Sequence, residues 1–418
     1  RLTCPPAPPS APPPGWHKHT RFISPSFHST PFCQPDLNAC TLLPGDPGPS
    51  GLGMSQHPSA EEYRRYLDYV TNEVPVDFDE ACGLSRPSSP SSPSPRLRDH
   101  LLPCPPIASL APTGTGLYLA VPSSGPPILA KHVVLACGLE PALPPPSTPS
   151  PSSLHSAYVS LAALAACPDP VLVGYGESAV DLLRFLSRSP PPPGGRAATV
   201  IRRSAGKGGG KPVAPDPSFG LSPRSLDFLR ELEAGDHGRN VAVRFVDGYE
   251  CTGASSPVPG LHAAELSPYR PALPPPPPVE SSHPIVLCTG YAPPPLVTSA
   301  VPFAGGVYPD LDPRTDESRS LPGVFLAGPS VRYRASALGC DKDALLCYVY
   351  KFRARAPIVA AEILSRVLEA EFFEGGALDE EGGRILERMG EMETRARELG
   401  FWADDLAKAK CRELGGGC

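Results

Sequence analysis

Nine consecutive residues carry the densest chemistry in this 418-residue chain. Val171-Leu172-Val173 suit a buried strand, and Gly174-Tyr175-Gly176-Glu177-Ser178-Ala179 follow as G-x-G-x-x-A. From Glu177 to Arg188 the apolar residues recur at helical spacing. Strand, glycine turn and helix in that order make a cradle for a pyrophosphate. The first Gly permits the tight turn, and the second lets the phosphates approach the backbone. Ala179 lets the helix pack close to the strand, while the helix N-terminus supplies N–H groups and the positive end of a dipole. A bare match to this pattern is expected about once by chance in so Gly-rich a chain. The flanking strand and helix raise it to a dinucleotide site, against the alternative of a Gly-rich turn without cofactor.

The next strand, 197–201, bears on which dinucleotide. An NAD site calls for Asp or Glu at its end, to accept from the ribose 2′-hydroxyl. Here stand Arg202 and Arg203, with Lys207 and Lys211 beyond. Guanidinium groups suit a 2′-phosphate, so NADPH is favoured over NADH; a solvated basic loop is the competing reading. No nucleophile–base–acid triad emerges, and no catalytic residue is assigned. Ser178 and Ser187 lie in the helix, while His155 and His283 read as loop residues, His155 at the surface. Asp341, Lys342 and Asp343 precede Tyr348, Tyr350, Lys351 and Arg353 in a polar segment that serves equally well as a helix N-cap. The 13 Cys include no C-x-x-C pair and no zinc spacing, so no metal site is expected. Cys137, Cys167, Cys288 and Cys347 sit in apolar runs and read as small buried hydrophobes of a reducing compartment.

The elements that must position these residues are separated by proline. With 61 Pro and 39 Gly, about one residue in four is a breaker. The prolines concentrate at 5–14, 86–95, 141–153, 189–195 and 271–278, which read as extended loops or linkers. Between them lie orderly blocks. Residues 131–137 and 284–291 are short strands closing on Gly138 and Gly290, 323–328 is another ending in Gly328, and 343–369 reads as helix broken near Pro357. Strand, Gly turn and helix in succession predict an α/β fold with a parallel sheet. The charged, periodic stretch 378–414 reads as a helical tail.

Composition narrows the classes. Charged residues make up 19%, and the net charge is −6, which excludes a basic nucleic-acid binder and a polyelectrolyte. No run approaches the ~20 uncharged apolar residues of a membrane span, so a soluble protein is expected. The cysteine usage points to an intracellular, reducing compartment, the cytoplasm first, organelle targeting remaining open. The sequence starts at Arg1, as a fragment or processed product would.

The order of these motifs resembles a known family. A strand ending in A-x-G at Gly138, a nucleotide motif G-x-G-x-S-A, a strand ending C-T-G-Y at Tyr291 and then GVFLAG is similar to the class B flavin-dependent monooxygenases, especially those that N-hydroxylate lysine or ornithine. Trp16-His17 with the segment 21–27, and the block 63–70, resemble the parts following that family's first FAD helices. The resemblance covers roughly 15–365 and is strongest at 130–180 and 284–330. It implies two Rossmann-like nucleotide-binding domains, the first incomplete, with Pro-rich insertions. The implied division is a partial FAD-binding domain at 1–140, an NADPH-binding domain at 154–291, a return to the FAD domain at 292–370 and a tail at 371–418. It implies cofactor contacts at Trp16, His17, Gly138 and Gly328, NADPH on Gly174–Ala179 with Arg202 and Arg203, a signature at Gly290 and Tyr291, and domain crossings at Gly138 and Gly290. His155-Ser156 resembles the family's H-S segment ahead of the NADPH motif, and the segment 341–353 corresponds to a region that approaches flavin and substrate there. The activity implied is oxygenation of an amine or other nucleophilic small molecule by a flavin that NADPH has reduced. The family's first G-x-G-x-x-G belongs upstream of Trp16 and is absent there. Two other readings therefore stand: a non-catalytic regulatory relative, since the oxidative-stress-induced growth inhibitors share much of this pattern, or a flavin-free NADPH-binding reductase.

Overall fold

The computed structural model describes residues 59–72, 97–100, 104–142, 151–203, 223–234, 240–269, 273–304, 308–333, 344–345, 359–360 and 362–367. The chain divides into two compact units, with crossings between Leu139 and Glu140 and between Ala292 and Pro293.

The middle unit is built on a five-stranded parallel sheet. Its elements are β1 (Ser153–His155), α1 (Leu161–Ala166), β2 (Val171–Val173), α2 (Glu177–Arg188), β3 (Ala197–Arg202), α3 (Pro223–Ala234) and β4 (Ala242–Asp247). There follow an antiparallel set, β5 (Tyr249–Val258), β6 (Leu261–Pro268) and β7 (Glu280–Ser281), and then β8 (Ile285–Leu287). Strand order in the parallel sheet is β1-β8-β2-β3-β4. The central strands β8, β2 and β3 are buried on both faces and read as near-continuous hydrophobic runs, whereas the edge strand β4 alternates and carries Arg244 and Asp247. Leu172, Val200 and Val286 point to one side, against Val180, Leu183 and Leu186 of α2 and Phe228 and Leu229 of α3. Val171, Val173, Ile201, Ile285 and Leu287 point to the other, against Tyr249, Cys251 and Val279 of the antiparallel set. Each fully buried Leu or Val contributes about 2 kcal/mol. The α2 stripe at 179, 180, 182, 183 and 186 is the helical spacing that requires one covered face.

Buried Arg196 ties these elements at one end of the sheet. Its guanidinium donates to the main-chain carbonyls of Leu186 (2.8 Å), Ser189 (3.3 Å), Pro190 (2.9 Å), Cys167 (3.4 Å) and Ala165. It thereby satisfies the C-terminal carbonyls of α1 and α2, where a cation also meets the negative end of the helix dipoles.

In the other unit, Val133–Leu135 pairs in parallel with Val324–Leu326 beside an antiparallel meander of Ile107–Pro112, Tyr118–Pro122 and Ile128–Ala130. Tyr118, Val133, Leu135, Val297, Val324 and Leu326 form its core. Its helix Ala60–Asn72 opens with a reciprocal capping box: Ser59 N–H donates to Glu62 Oε2 (2.6 Å), and Glu62 N–H to Ser59 Oγ (3.2 Å). The fold is thus α/β with Rossmann-like halves: a complete five-stranded one in the middle unit, and one parallel pair among the described residues of the other.

The strands expected at 131–137, 284–291 and 323–328 are present but shorter. One expectation is overturned. Within the stretch read as helix from 343, Ala344–Leu345 is a strand segment paired antiparallel with Arg332–Tyr333, and helix occupies 359–360 and 362–367. Pairing with a partner distant in sequence outweighs the local helical pattern there. The stretches 5–14, 21–27 and 378–414, Cys347 and the polar residues from Tyr348 to Arg353 lie outside the described residues, as do Asp341, Lys342 and Asp343.

Candidate functional site: the glycine turn and its two arginines

Gly174 leaves β2 with φ of +100°, a conformation side chains rarely adopt. Its N–H donates to Ile201 O of β3 (2.8 Å), and on the other side a Cβ would stand 2.4 Å from Cys288 O, just beyond β8. Glycine is therefore required twice over, by dihedral angle and by contact. Gly176 differs. It is the exposed N-cap of α2 with ordinary extended φ, it supplies no side-chain cap, and a Cβ there would meet nothing within 4 Å. The fold does not need glycine at 176, whereas a group approaching the main chain does. The N–H groups of Glu177, Ser178 and Ala179 open the helix, its first internal bond being Val180 N–H to Gly176 O (3.1 Å). Ala179 is fully buried, so the small residue permits the close packing expected of it. Glu177 accepts from the buried Ser225 Oγ (2.7 Å) of α3. These features fit a dinucleotide: open space over Gly176, and donors at the positive end of a helix.

At the end of β3, Arg202 and Arg203 follow as the sequence places them, but in different settings. Arg202 is paired through Nε and Nη2 with both oxygens of Asp247, and its guanidinium lies over the rings of Tyr175 (5.2 Å) and Phe245 (4.2 Å). The Asp247 carboxylate holds the arginine firmly charged. Arg203 stands in solvent, 3.6 Å from Glu250.

Gly290 and Tyr291 join His155 in one cluster of the middle unit. His155 is buried, which corrects its reading as a surface histidine; His283 is buried as well. His155 Nε2 lies 2.9 Å from Gly290 O, while Nδ1 accepts from Ala157 N–H (3.2 Å). These two partners fix the neutral tautomer with the proton on Nε2, and burial holds its pKa below the ordinary value. The ring meets Tyr291 edge-on at 5.1 Å. Burial pushes the Tyr291 phenol up to about 12, and the Cys288 thiol likewise. At neutral pH both stay protonated, so Cys288 is no thiolate nucleophile.

Gly138 and Gly328 belong to the other unit, beyond the adjoining ends of the parallel strands Val133–Leu135 and Val324–Leu326. Ser330 Oγ donates to Gly138 O (2.9 Å), and Ala327 N–H to Leu135 O (3.1 Å). Trp16 and His17 lie outside the described residues. Cys104, Cys167, Cys251 and Cys288 form no disulfide, and no group of His, Cys, Asp and Glu among the described residues could hold a metal. Among the same residues, no helix is long and apolar enough to cross a membrane.

Sequence reasoning missed Asp247, Phe245 and Ser225. Asp247 had one available signal, as the acid closing the strand parallel to the one that bears Arg202.

No family model matches the sequence. Among solved structures the chain is similar to an ornithine N-hydroxylase of Kutzneria sp. 744 with reduced FAD, NADP+ and L-ornithine, at 15% identity, covering 75% of this chain and 79% of that one with a TM-score of 0.48. It is similar also to an FAD-bound cadaverine monooxygenase of desferrioxamine biosynthesis from Erwinia amylovora, at 16% identity, 74% of each chain and a TM-score of 0.48. A pyridine nucleotide-disulfide family oxidoreductase from Enterococcus faecalis V583 matches at 13% identity and a TM-score of 0.43, over 63% of this chain; the chain spans only 56% of that protein's length.

Proposed function

We propose that the chain is an NADPH-dependent, FAD-linked oxidoreductase of the monooxygenase type, acting on an amine or other nucleophilic small molecule. The observation that carries the reading is the contrast between the two glycines. The fold demands Gly174, whereas Gly176 leaves open space before a helix N-terminus, as a pyrophosphate requires. The positive charge that Arg202 and Arg203 place at the end of β3 favours the 2′-phosphorylated dinucleotide. Flavin, held beside Gly138 and Gly328, would supply the redox chemistry, and the protein would supply binding, orientation and exclusion of water. The amine substrate rests on the resemblance in motif order alone.

A second reading has an observation in its favour. Among the described residues, a glycine turn leads from a strand directly into a helix once, at Gly174–Ala179. That suits a flavin-free NADPH-binding reductase or a regulatory nucleotide-binding relative. Ultrafiltration of the purified chain with saturating FAD and NADPH separates the readings. Retention of both is expected. Retention of NADPH alone would replace the first reading by the second, and retention of neither would remove the nucleotide function altogether.

A further inference from the structure

The two arginines that close β3 are not equivalent. The Arg202 side chain is 10% exposed, and its guanidinium lies over both Tyr175 of the glycine turn and Phe245 of β4, rings that themselves meet edge-on at 5.3 Å. Its Nε and Nη2 point at Asp247, with Nη2 to Oδ2 at 3.0 Å. The register sets this geometry, for Arg202 and Asp247 stand opposite each other as the last pair of the parallel ladder between β3 and β4. A bidentate fork is the arrangement a guanidinium would otherwise offer to a phosphate. Arg203 is 67% exposed, makes one long contact of 3.6 Å with Glu250, and lies 5.8 Å from the Tyr269 ring centroid. An exposed pair at that distance is loose and easily displaced.

We infer that Asp247 is a specificity-determining residue of the dinucleotide site: its carboxylate takes the Arg202 fork, leaves Arg203 to meet the ribose 2′-phosphate, and so restrains the preference for NADPH over NADH. The inference rests on the dinucleotide reading above. Arg202 becomes a platform under Tyr175 rather than a phosphate ligand. The carboxylate also adds a negative charge near any bound 2′-phosphate, which opposes that phosphate and leaves a 2′-hydroxyl unaffected.

The test is equilibrium titration of the full chain with NADPH and with NADH, followed by nicotinamide fluorescence, with thermal melting as a control on folding. Asp247→Asn keeps the size and removes the charge. It is expected to tighten NADPH about fivefold and to leave NADH within about twofold. Adding Arg202→Ala to that variant should remove the part of the gain that the freed fork supplies and leave only the part due to the lost negative charge. Arg203→Ala alters an exposed side chain and leaves the buried pair intact. It should weaken NADPH about tenfold and spare NADH. An unchanged ratio of NADPH to NADH affinity in Asp247→Asn, or in Arg203→Ala should the first variant fail to fold, overturns the inference while the dinucleotide site stands. Wild-type protein that binds neither dinucleotide overturns both.

Discussion

At the scale of single residues, the two glycines of the turn make opposite expectations. Gly174→Ala puts a methyl 2.4 Å from Cys288 O at a φ of +100° and should cost about 2–4 kcal/mol of stability, read as a lower denaturant midpoint. Gly176→Ala meets nothing within 4 Å and should change stability by less than about 1 kcal/mol, yet weaken NADPH at least about tenfold, because its methyl occupies the space of the pyrophosphate. Denaturation and NADPH titration of the two variants check both statements. His155 makes an expectation about pH. Burial lowers its folded-state pKa, so below about 6.5 the unfolded chain binds a proton that the folded chain refuses. Stability should therefore fall as pH drops from 6.5 to the folded-state value and level off below it. His132 is shifted the same way by burial and by Arg366, so His155→Gln should remove part of this slope rather than all of it. A slope unchanged in that variant would deny His155 the neutral, buried role.

At the scale of elements, the strands are held by packing on both faces, and Arg196 supplies the polar closure. Arg196→Ala would strand the terminal carbonyls of α1 and α2 and is expected to destabilise by about 3 kcal/mol or more; Arg196→Lys, lacking the planar fork, should recover only part of that. Calorimetric melting of both variants checks this. What the sequence made legible follows the same division. The strand 171–173 and the helix 177–188 were readable to the residue, because a triple apolar run and an amphipathic stripe are local signals. The hairpin Tyr249–Val258 with Leu261–Pro268 was not readable. Its outer half is exposed, its sequence is rich in Ser, Gly and Pro, and its stability comes from cross-strand pairing. Helix Pro223–Ala234 went unnoticed although Pro at its first position is a start signal. The site divides likewise. The glycine motif and arginines are contiguous and legible, whereas the Arg202–Asp247 pair spans 45 residues and is set by strand register, which composition does not reveal.

At the scale of the whole molecule, proline marks what the nucleotide fold tolerates. The tract at 189–195 runs as a loop between α2 and β3, and the tract at 273–278 lies between β6 and β7, so both spare the parallel sheet. The candidate residues fall into two sets along the chain, Gly138 and Gly328 in one unit and the glycine turn with its arginines in the other. An oxidoreductase that passes electrons from NADPH to FAD needs both sets to act on one reaction. The most direct measurement is anaerobic addition of NADPH to the FAD-reconstituted full chain while the visible flavin absorption is followed. The expected result is bleaching by NADPH in the wild-type chain and at least about tenfold slower bleaching in Gly176→Ala at sub-saturating NADPH. A chain that retains no flavin at saturating FAD, or that bleaches equally fast with Gly176 replaced, would contradict the account.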